Sequence, residues 1–230
     1  MVHEPRLELE HRIGYSFGDP ALFRRAMSHR SFVAEATGDA ASNERLEFLG
    51  DAVLGWVVAD LAFHTFADVS EGSLSDLRKS VVNATALAEV ARELELGRHL
   101  LLGRGEDAAG GRDKPSILSD AMEALLGAIY LDGGLQAAFE IVERHFAPRL
   151  AAAAPRLHRV DDKSALQERV AGDGGPAPVY TVKSSGPEHE KRFVATVTVD
   201  GAVMGEGNGR SKKTSEQEAA GDALDRLGPG

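Results

Sequence analysis

The spacing of apolar residues changes character near residue 150 of this chain, and that change limits the folds open to it. Up to about residue 150 they recur at helical intervals: Leu22, Phe23, Ala26 and Met27, then Leu46, Leu49, Val53 and Leu54. Helices are also predicted over Leu74–Val82, Ala86–Leu94, Ile117–Leu131 and Ala137–Phe146, with Gly-rich breaks at Gly103–Gly105 and Gly133-Gly134. After Lys163 the order becomes short helix, three strands, long helix. Ser164–Ala171 is the first helix, Val179–Lys183, Arg192–Val199 and Ala202–Glu206 alternate as strands, and Ser211–Leu227 closes the pattern. Asp200-Gly201 predicts a tight hairpin turn between the last two strands. The expectation is two domains in 230 residues: an all-α domain over 1–150, a linker over 151–160, and a small α+β domain of α-β-β-β-α order over 161–230.

Composition removes several chemistries. The chain has no cysteine, which excludes disulfide scaffolds, thiolate zinc sites, iron–sulfur clusters and cysteine nucleophiles. No apolar run reaches the roughly 18 uncharged residues of a spanning helix, and Met1–Arg12 is too charged for a secretory leader, so a cytoplasmic protein is expected. Lys+Arg number 26 against 36 Asp+Glu, a net charge of −10, which by itself offers nucleic acid no attraction.

Carboxylates carry the sharpest local signal. Glu44, Glu47 and Asp51 stand at i, i+3 and i+7 on one predicted helix, within a sector of roughly 60°. Leu46, Leu49, Val53, Trp56 and Val57 take the other side and are expected to face the core. Alone, that trio reads first as a solvated acidic face. Asp120 and Glu123 differ, because they sit inside Ile117–Leu131, a helix apolar almost all round. Buried carboxylates need a cation. Arg45 or Arg78 would serve, and so would a metal; spacing leaves the two open. If a metal, a set of oxygens without Cys or clustered His suits Mg²⁺ or Mn²⁺ rather than Zn²⁺.

The second domain poses the opposite question. Residues 161–230 hold 9 Lys+Arg and 12 Asp+Glu, so no bulk basicity favours an acidic polymer. What remains is local: Arg210, Lys212 and Lys213 cluster where the last helix begins, with Glu216 and Glu218 a turn later and expected to face away. The glycines of Gly205-Glu206-Gly207-Asn208-Gly209 have the wrong spacing for a dinucleotide loop and read as an approach to that helix. His29 reads as a hydrogen-bonded structural residue.

Asn43-Glu44-Arg45-Leu46-Glu47-Phe48-Leu49-Gly50-Asp51-Ala52-Val53-Leu54 closely resembles the signature of ribonuclease III, the bacterial double-stranded-RNA endonuclease. Ser28–Phe32, Glu71-Gly72 with Leu77-Arg78, and Ser116–Asp132 resemble the family's flanking segments. Lys163–Glu168 and Gly209–Lys213 are similar to its double-stranded-RNA-binding domain. The resemblance implies Glu47, Asp120 and Glu123 as metal ligands and Asp51 as a further catalytic carboxylate acting through water. Glu123 is then both ligand and catalytic, and Glu44 and Glu71 are supporting acids. It also implies RNA contacts at Gln167, Glu168, His189, Arg210, Lys212 and Lys213. Implied too are Mg²⁺ dependence, a homodimer, products with 5′-phosphate and 3′-hydroxyl ends, and work in rRNA and mRNA processing. Asp162 and Ser215 depart from the family's commoner aromatic residue and alanine. Two other readings stand beside this one. A non-catalytic duplex-RNA binder would have no use for buried acids. A Mg²⁺-dependent nucleotide pyrophosphatase would have no use for an α-β-β-β-α unit.

Overall fold

Short polar side chains set the helix starts. Asp19 accepts a hydrogen bond from the Ala21 N–H at 2.8 Å ahead of Pro20, and Asn83 does the same for Ala86 at 3.0 Å. His29 caps through Nδ1, which accepts the Ser31 N–H at 3.2 Å, so its role in the fold is structural. The computed structural model describes residues 5–37, 40–67, 69–153, 162–187 and 191–228. In chain order these form α1 (Pro5–Ile13), α2 (Pro20–Ala26), α3 (Arg30–Glu35), α4 (Glu44–Thr65), α5 (Glu71–Val81), α6 (Ala84–Glu93), α7 (Arg104–Ala108) and α8 (Pro115–Ala153). Short 3₁₀ turns at Leu96–His99 and Gly111–Asp113 flank α7. Then come α9 (Asp162–Gly172), β1 (Val179–Ser185), β2 (Arg192–Val199), β3 (Ala202–Gly209) and α10 (Lys212–Leu227). The chain divides into two compact units, one within 1–68 and 74–152, the other within 69–73 and 153–230.

The first unit is all helix, with α4 and α8 supplying much of its core. Leu46, Leu54, Val57 and Val58 are buried on α4, and Leu118, Met122, Leu125 and Ile129 on α8. Trp56 is a correction: it is 48% exposed and meets Phe139 edge-on at 6.3 Å. At 100° per residue it lies about 80° from Leu46, on the flank of the stripe rather than within it. Leu49 is likewise only half-buried. The predicted break at Gly133-Gly134 is a kink, with Gly134 at φ 79°, and helix resumes through Ala153. Of the expected linker, 151–153 are therefore helical and 154–160 lie outside the described residues. By length and composition α8 is apolar enough to cross a membrane, with an 18-residue window of mean hydropathy 1.3. It carries Asp120 and Glu123 and buries sixteen residues in this unit, the profile of a core helix.

The second unit is the α-β-β-β-α arrangement. Its antiparallel sheet has the order β1-β2-β3, and α9 and α10 cover one face around Leu166, Val170, Ala195, Val197, Ala219, Ala220 and Ala223. The alternation along β2 sets its buried row, with Ala195 and Val197 fully buried and Phe193 and Val199 half-buried at its ends. Asp200 and Gly201 both take positive φ, 50° and 77°, as a mirror-image hairpin turn requires. Strand β3 runs three residues past its predicted end because its alternate glycines face α10. A Cβ on Gly207 would stand 2.2 Å from the Ala219 nitrogen, so only glycine lets the helix backbone lie on the strand. That close approach is the purpose of the Gly-rich run. Ser215 is fully buried, and its hydroxyl donates to the Lys212 carbonyl at 2.9 Å, so this departure from alanine leaves no unpaired polar group.

Candidate metal centre

Two helices cross where neither has a side chain. A Cβ on Gly50 of α4 would sit 1.7 Å from the Glu123 carbonyl oxygen of α8, and one on Gly127 would sit 2.2 Å from the Leu46 carbonyl oxygen. Backbone therefore meets backbone, and the residues bracketing the crossing are drawn together. Glu47 lies three before Gly50, and Glu123 four before Gly127. Neither glycine carries chemistry, and sequence spacing assigns them no role. Their position beside paired acids was the available signal.

Local bonds fix the approach. The Asn43 N–H donates to the Ser28 carbonyl at 2.9 Å, tying the start of α4 to the end of α2. The Asn43 carbonyl accepts from the Leu46 and Glu47 N–H groups at 2.8 and 2.9 Å, so Glu47 enters the first turn in a set orientation. On α8, the buried Ser119 hydroxyl donates to the Ser116 carbonyl at 2.8 Å and lies 3.3 Å from Asp120 Oδ1.

Glu47, Asp120 and Glu123 each offer an oxygen within 4.8 Å of the other two, and all three are half-buried. Burial pushes the Glu123 carboxyl up to about 7, and the charges of Asp51, Glu47 and Asp120 add to it. Glu47 is raised too, first by burial, then by Asp120, Glu44 and Asp51, with Arg30 alone acting against them. The arginine explanation for the buried acids fails. Among the described residues no lysine or arginine pairs with Asp120 or Glu123, and Arg45 and Arg78 are exposed. Three hard oxygens held together at such electrostatic cost, with no paired cation among the described residues, match the demand of a divalent metal ion.

The other acids stand apart from this trio. Asp51 is exposed on α4, one turn beyond Glu47, near enough for its charge to act on Glu123. Glu44 is occupied on the rim, accepting from the Ser42 hydroxyl at 2.7 Å and pairing with Arg30 at 3.9 Å. Glu71 is exposed at the first residue of α5 and is not among the three acids gathered in the cluster. A cleft of about 420 Å³ opens beside Glu47 and Asp120, with His29, Arg30, Glu106 and Lys114 on its other sides.

In the second unit the expected RNA contacts present themselves separately. Gln167 and Glu168 are exposed on α9, and Arg210, Lys212 and Lys213 are exposed where α10 begins. Ser211 caps α10 by accepting the Thr214 N–H at 3.1 Å. His189 lies outside the described residues. Glu216, expected to face away, is 13% exposed and pairs with Lys163 at 2.7 Å and Lys212 at 3.9 Å. The Lys163 ammonium also lies 4.4 Å from the Tyr180 ring centre. An acid thus steadies two lysines across α9 and α10.

Comparison with known proteins gives this arrangement its relatives. The Ribonuclease-III-like family model matches residues 19–150, and the double-stranded RNA binding motif matches 163–227. Ribonuclease 3 of Thermobifida fusca is 52% identical over 213 residues, covering 93% of this chain and 88% of that protein. Ribonuclease 3 of Streptomyces coelicolor is 51% identical over 212 residues, covering 92% and 76%. Among solved structures, the nuclease domain of ribonuclease III from Campylobacter jejuni is 44% identical at a TM-score of 0.56. It covers 61% of this chain and 97% of that one, and was described for flexibility in a region involved in dimer formation. A likeness this deep, running through both units in order, leaves one conclusion: the chain belongs to the ribonuclease III family of double-stranded-RNA endonucleases.

Proposed function

We propose that this protein is a Mg²⁺-dependent homodimeric endonuclease that hydrolyses phosphodiester bonds in double-stranded RNA, leaving 5′-phosphate and 3′-hydroxyl ends. The observation that carries the reading is the trio Glu47, Asp120 and Glu123, gathered within 4.8 Å of one another. Their hard oxygens suit Mg²⁺, with Mn²⁺ as a substitute. When bound, Mg²⁺ supplies an acidified water and charge stabilisation at phosphorus. The chain's own residues do the rest. Glu47, Asp120 and Glu123 hold the ion's position, and Asp51 accepts a hydrogen bond from the attacking water and orients it. Glu44 and Glu71 support the site from outside.

The second unit positions the duplex. Gln167, Glu168 and the loop carrying His189 reach successive minor grooves, while Arg210, Lys212 and Lys213 neutralise the phosphates between. Such contacts read A-form shape and 2′-hydroxyls, which suits an enzyme acting on structured rRNA and mRNA precursors in the cytoplasm. We assign the nuclease domain to 1–150, a linker to 151–160 and the reader to 161–230. Support for the dimer comes from exposed apolar side chains that water disfavours: Phe48 is 81% exposed, Phe63 65% and Leu131 53%.

Incubating a long RNA duplex with Mg²⁺, followed by end-group analysis, tests the reaction. Glu123→Gln is expected to abolish cleavage while duplex affinity persists. Full activity in that variant, with Mg²⁺ as the metal supplied, would remove the trio from the mechanism.

A further inference from the structure

The cleft beside the carboxylates has an electrostatic problem. A polyanion must enter a site bounded by Glu47 and Asp120, with the charges of Asp51 and Glu123 close by. A bound divalent ion offsets only part of that charge. The cleft's own fixed cations are Arg30 and Lys114. They are held differently. Lys114 is locked to Glu106 by a 2.5 Å ion pair and is 43% exposed. Arg30 is 75% exposed and reaches Glu44 only at 3.9 Å, a distance that makes no hydrogen bond. Glu44 does not depend on Arg30, because the Ser42 hydroxyl already donates to its other oxygen at 2.7 Å. The guanidinium can therefore leave without orphaning its partner.

We propose that Arg30 exchanges Glu44 for a phosphate of the RNA backbone next to the bond being cut, and clamps that phosphate through two parallel N–H···O bonds. The planar fork of arginine suits a phosphate in a way an ammonium does not. Glu44 serves as the parking partner that keeps the guanidinium on the rim of the cleft until RNA arrives. This gives Glu44 a purpose that requires no contact with metal. The inference rests on the ribonuclease reading of the carboxylate trio, and the test separates the two.

The full chain is compared as wild type, Arg30→Ala and Arg30→Lys, in two assays. The first measures binding of a labelled RNA duplex with Ca²⁺ in place of Mg²⁺ over a KCl series. The second measures single-turnover cleavage with Mg²⁺. Arg30→Ala is expected to weaken binding and kcat/KM by about tenfold or more, as when a charged hydrogen bond is removed. The log–log salt slope should also shrink by about 0.7–0.9, the change expected when one phosphate is no longer neutralised. Arg30→Lys should recover the slope and only part of the rate, because it keeps the charge and gives up the fork. A merely structural arginine would leave the slope alone, and thermal melts should coincide since the side chain is exposed. An unchanged salt slope in Arg30→Ala overturns the proposal, whatever happens to the rate. A wild type that fails to cut RNA while the slope still falls in Arg30→Ala overturns the ribonuclease reading and leaves the phosphate clamp standing.

Discussion

Replacing Gly50 with alanine tests the idea that the helix crossing, rather than the acids alone, makes the site. The added Cβ would lie 1.7 Å from the Glu123 carbonyl oxygen, 2.6 Å from its carbon and 2.9 Å from the Gly127 nitrogen. All three are backbone atoms, so no side chain can swing aside. An ordinary contact is about 3.5 Å, so α4 and α8 must part by roughly 1.5–2 Å. Two oxygens on one Mg²⁺ can stand at most about 4.2 Å apart, twice the metal–oxygen distance. The trio's oxygens lie within 4.8 Å of one another, so a further ~1.5 Å between the helices works directly against joint ligation by Glu47 and Glu123 unless their side chains change rotamer. Overpacking costs about 1–3 kcal/mol, and alanine's better helix propensity returns about 1 kcal/mol. The net loss of about 0–2 kcal/mol lowers the melting temperature by only a few degrees. Activity should suffer far more. Displacements of 1 Å can cost about 100-fold in rate, and the half-saturating Mg²⁺ concentration should rise with it. The measurement is a Mg²⁺ titration of duplex cleavage beside a thermal melt. A folded Gly50→Ala protein with the wild-type Mg²⁺ requirement and rate would refute the argument that this backbone contact sets the ligand geometry.

Other perturbations follow the charges. Glu123 titrates near 7 against its ordinary 4.5, so the metal-free native state holds a proton that the unfolded chain has lost between about pH 4.5 and 7. Stability without metal should therefore fall as pH rises through that window and stay low above it, and Glu123→Gln should flatten the profile in thermal melts. Mg²⁺ needs the ionised carboxylate, so its half-saturating concentration should rise about tenfold per pH unit below 7; a flat requirement from pH 5.5 to 8 would contradict this. Lys212→Ala with Lys213→Ala should reduce the log–log salt slope of duplex binding by about 1.4–1.8, and an unchanged slope would clear both residues of phosphate contact. Phe48→Glu places a charge on the most exposed aromatic of α4 and should yield monomers by sedimentation velocity; a persistent dimer would put the interface elsewhere.

Element identity was legible because each element repeats one period. Helical spacing through Leu46 to Leu54 and alternation along Phe193 to Val199 both reflect a single buried face, and both survive in the structure. Spacing fails where a face has a margin. Trp56 and Leu49 flank the stripe, and a spacing rule cannot say where burial stops. Buried acids within an apolar helix are legible as demanding a cation, but spacing cannot choose between arginine and metal. That choice depends on which side of α8 the arginines occupy, a tertiary fact. The crossing glycines are hidden for a related reason, since a glycine in a helix announces a close approach without naming what approaches. For Glu216, sequence shows the i+4 relation to Lys212 but not the partner on α9, 53 positions earlier at Lys163, and that partner is what turns the side chain inward.

Net charge of −10 argues at first against an acidic substrate, and the structure shows why that argument fails. Steering by bulk charge acts over about a Debye length, roughly 8–10 Å in physiological salt, whereas a duplex is held through contacts of about 3 Å. What matters is which charges stand at those contacts and which are already engaged elsewhere. Lys212 stands exposed beside Glu216, and Arg30 stands exposed beside Glu44, each with an acid at 3.9 Å. Both acids hold a tighter partner of their own, Lys163 for Glu216 and Ser42 for Glu44. The same local design recurs in both units: a satisfied carboxylate keeps a loosely held cation in place at little cost to its release. An overall acidic protein can grip a polyanion on those terms, because the acids beside these cations hold tighter partners of their own before the polymer arrives.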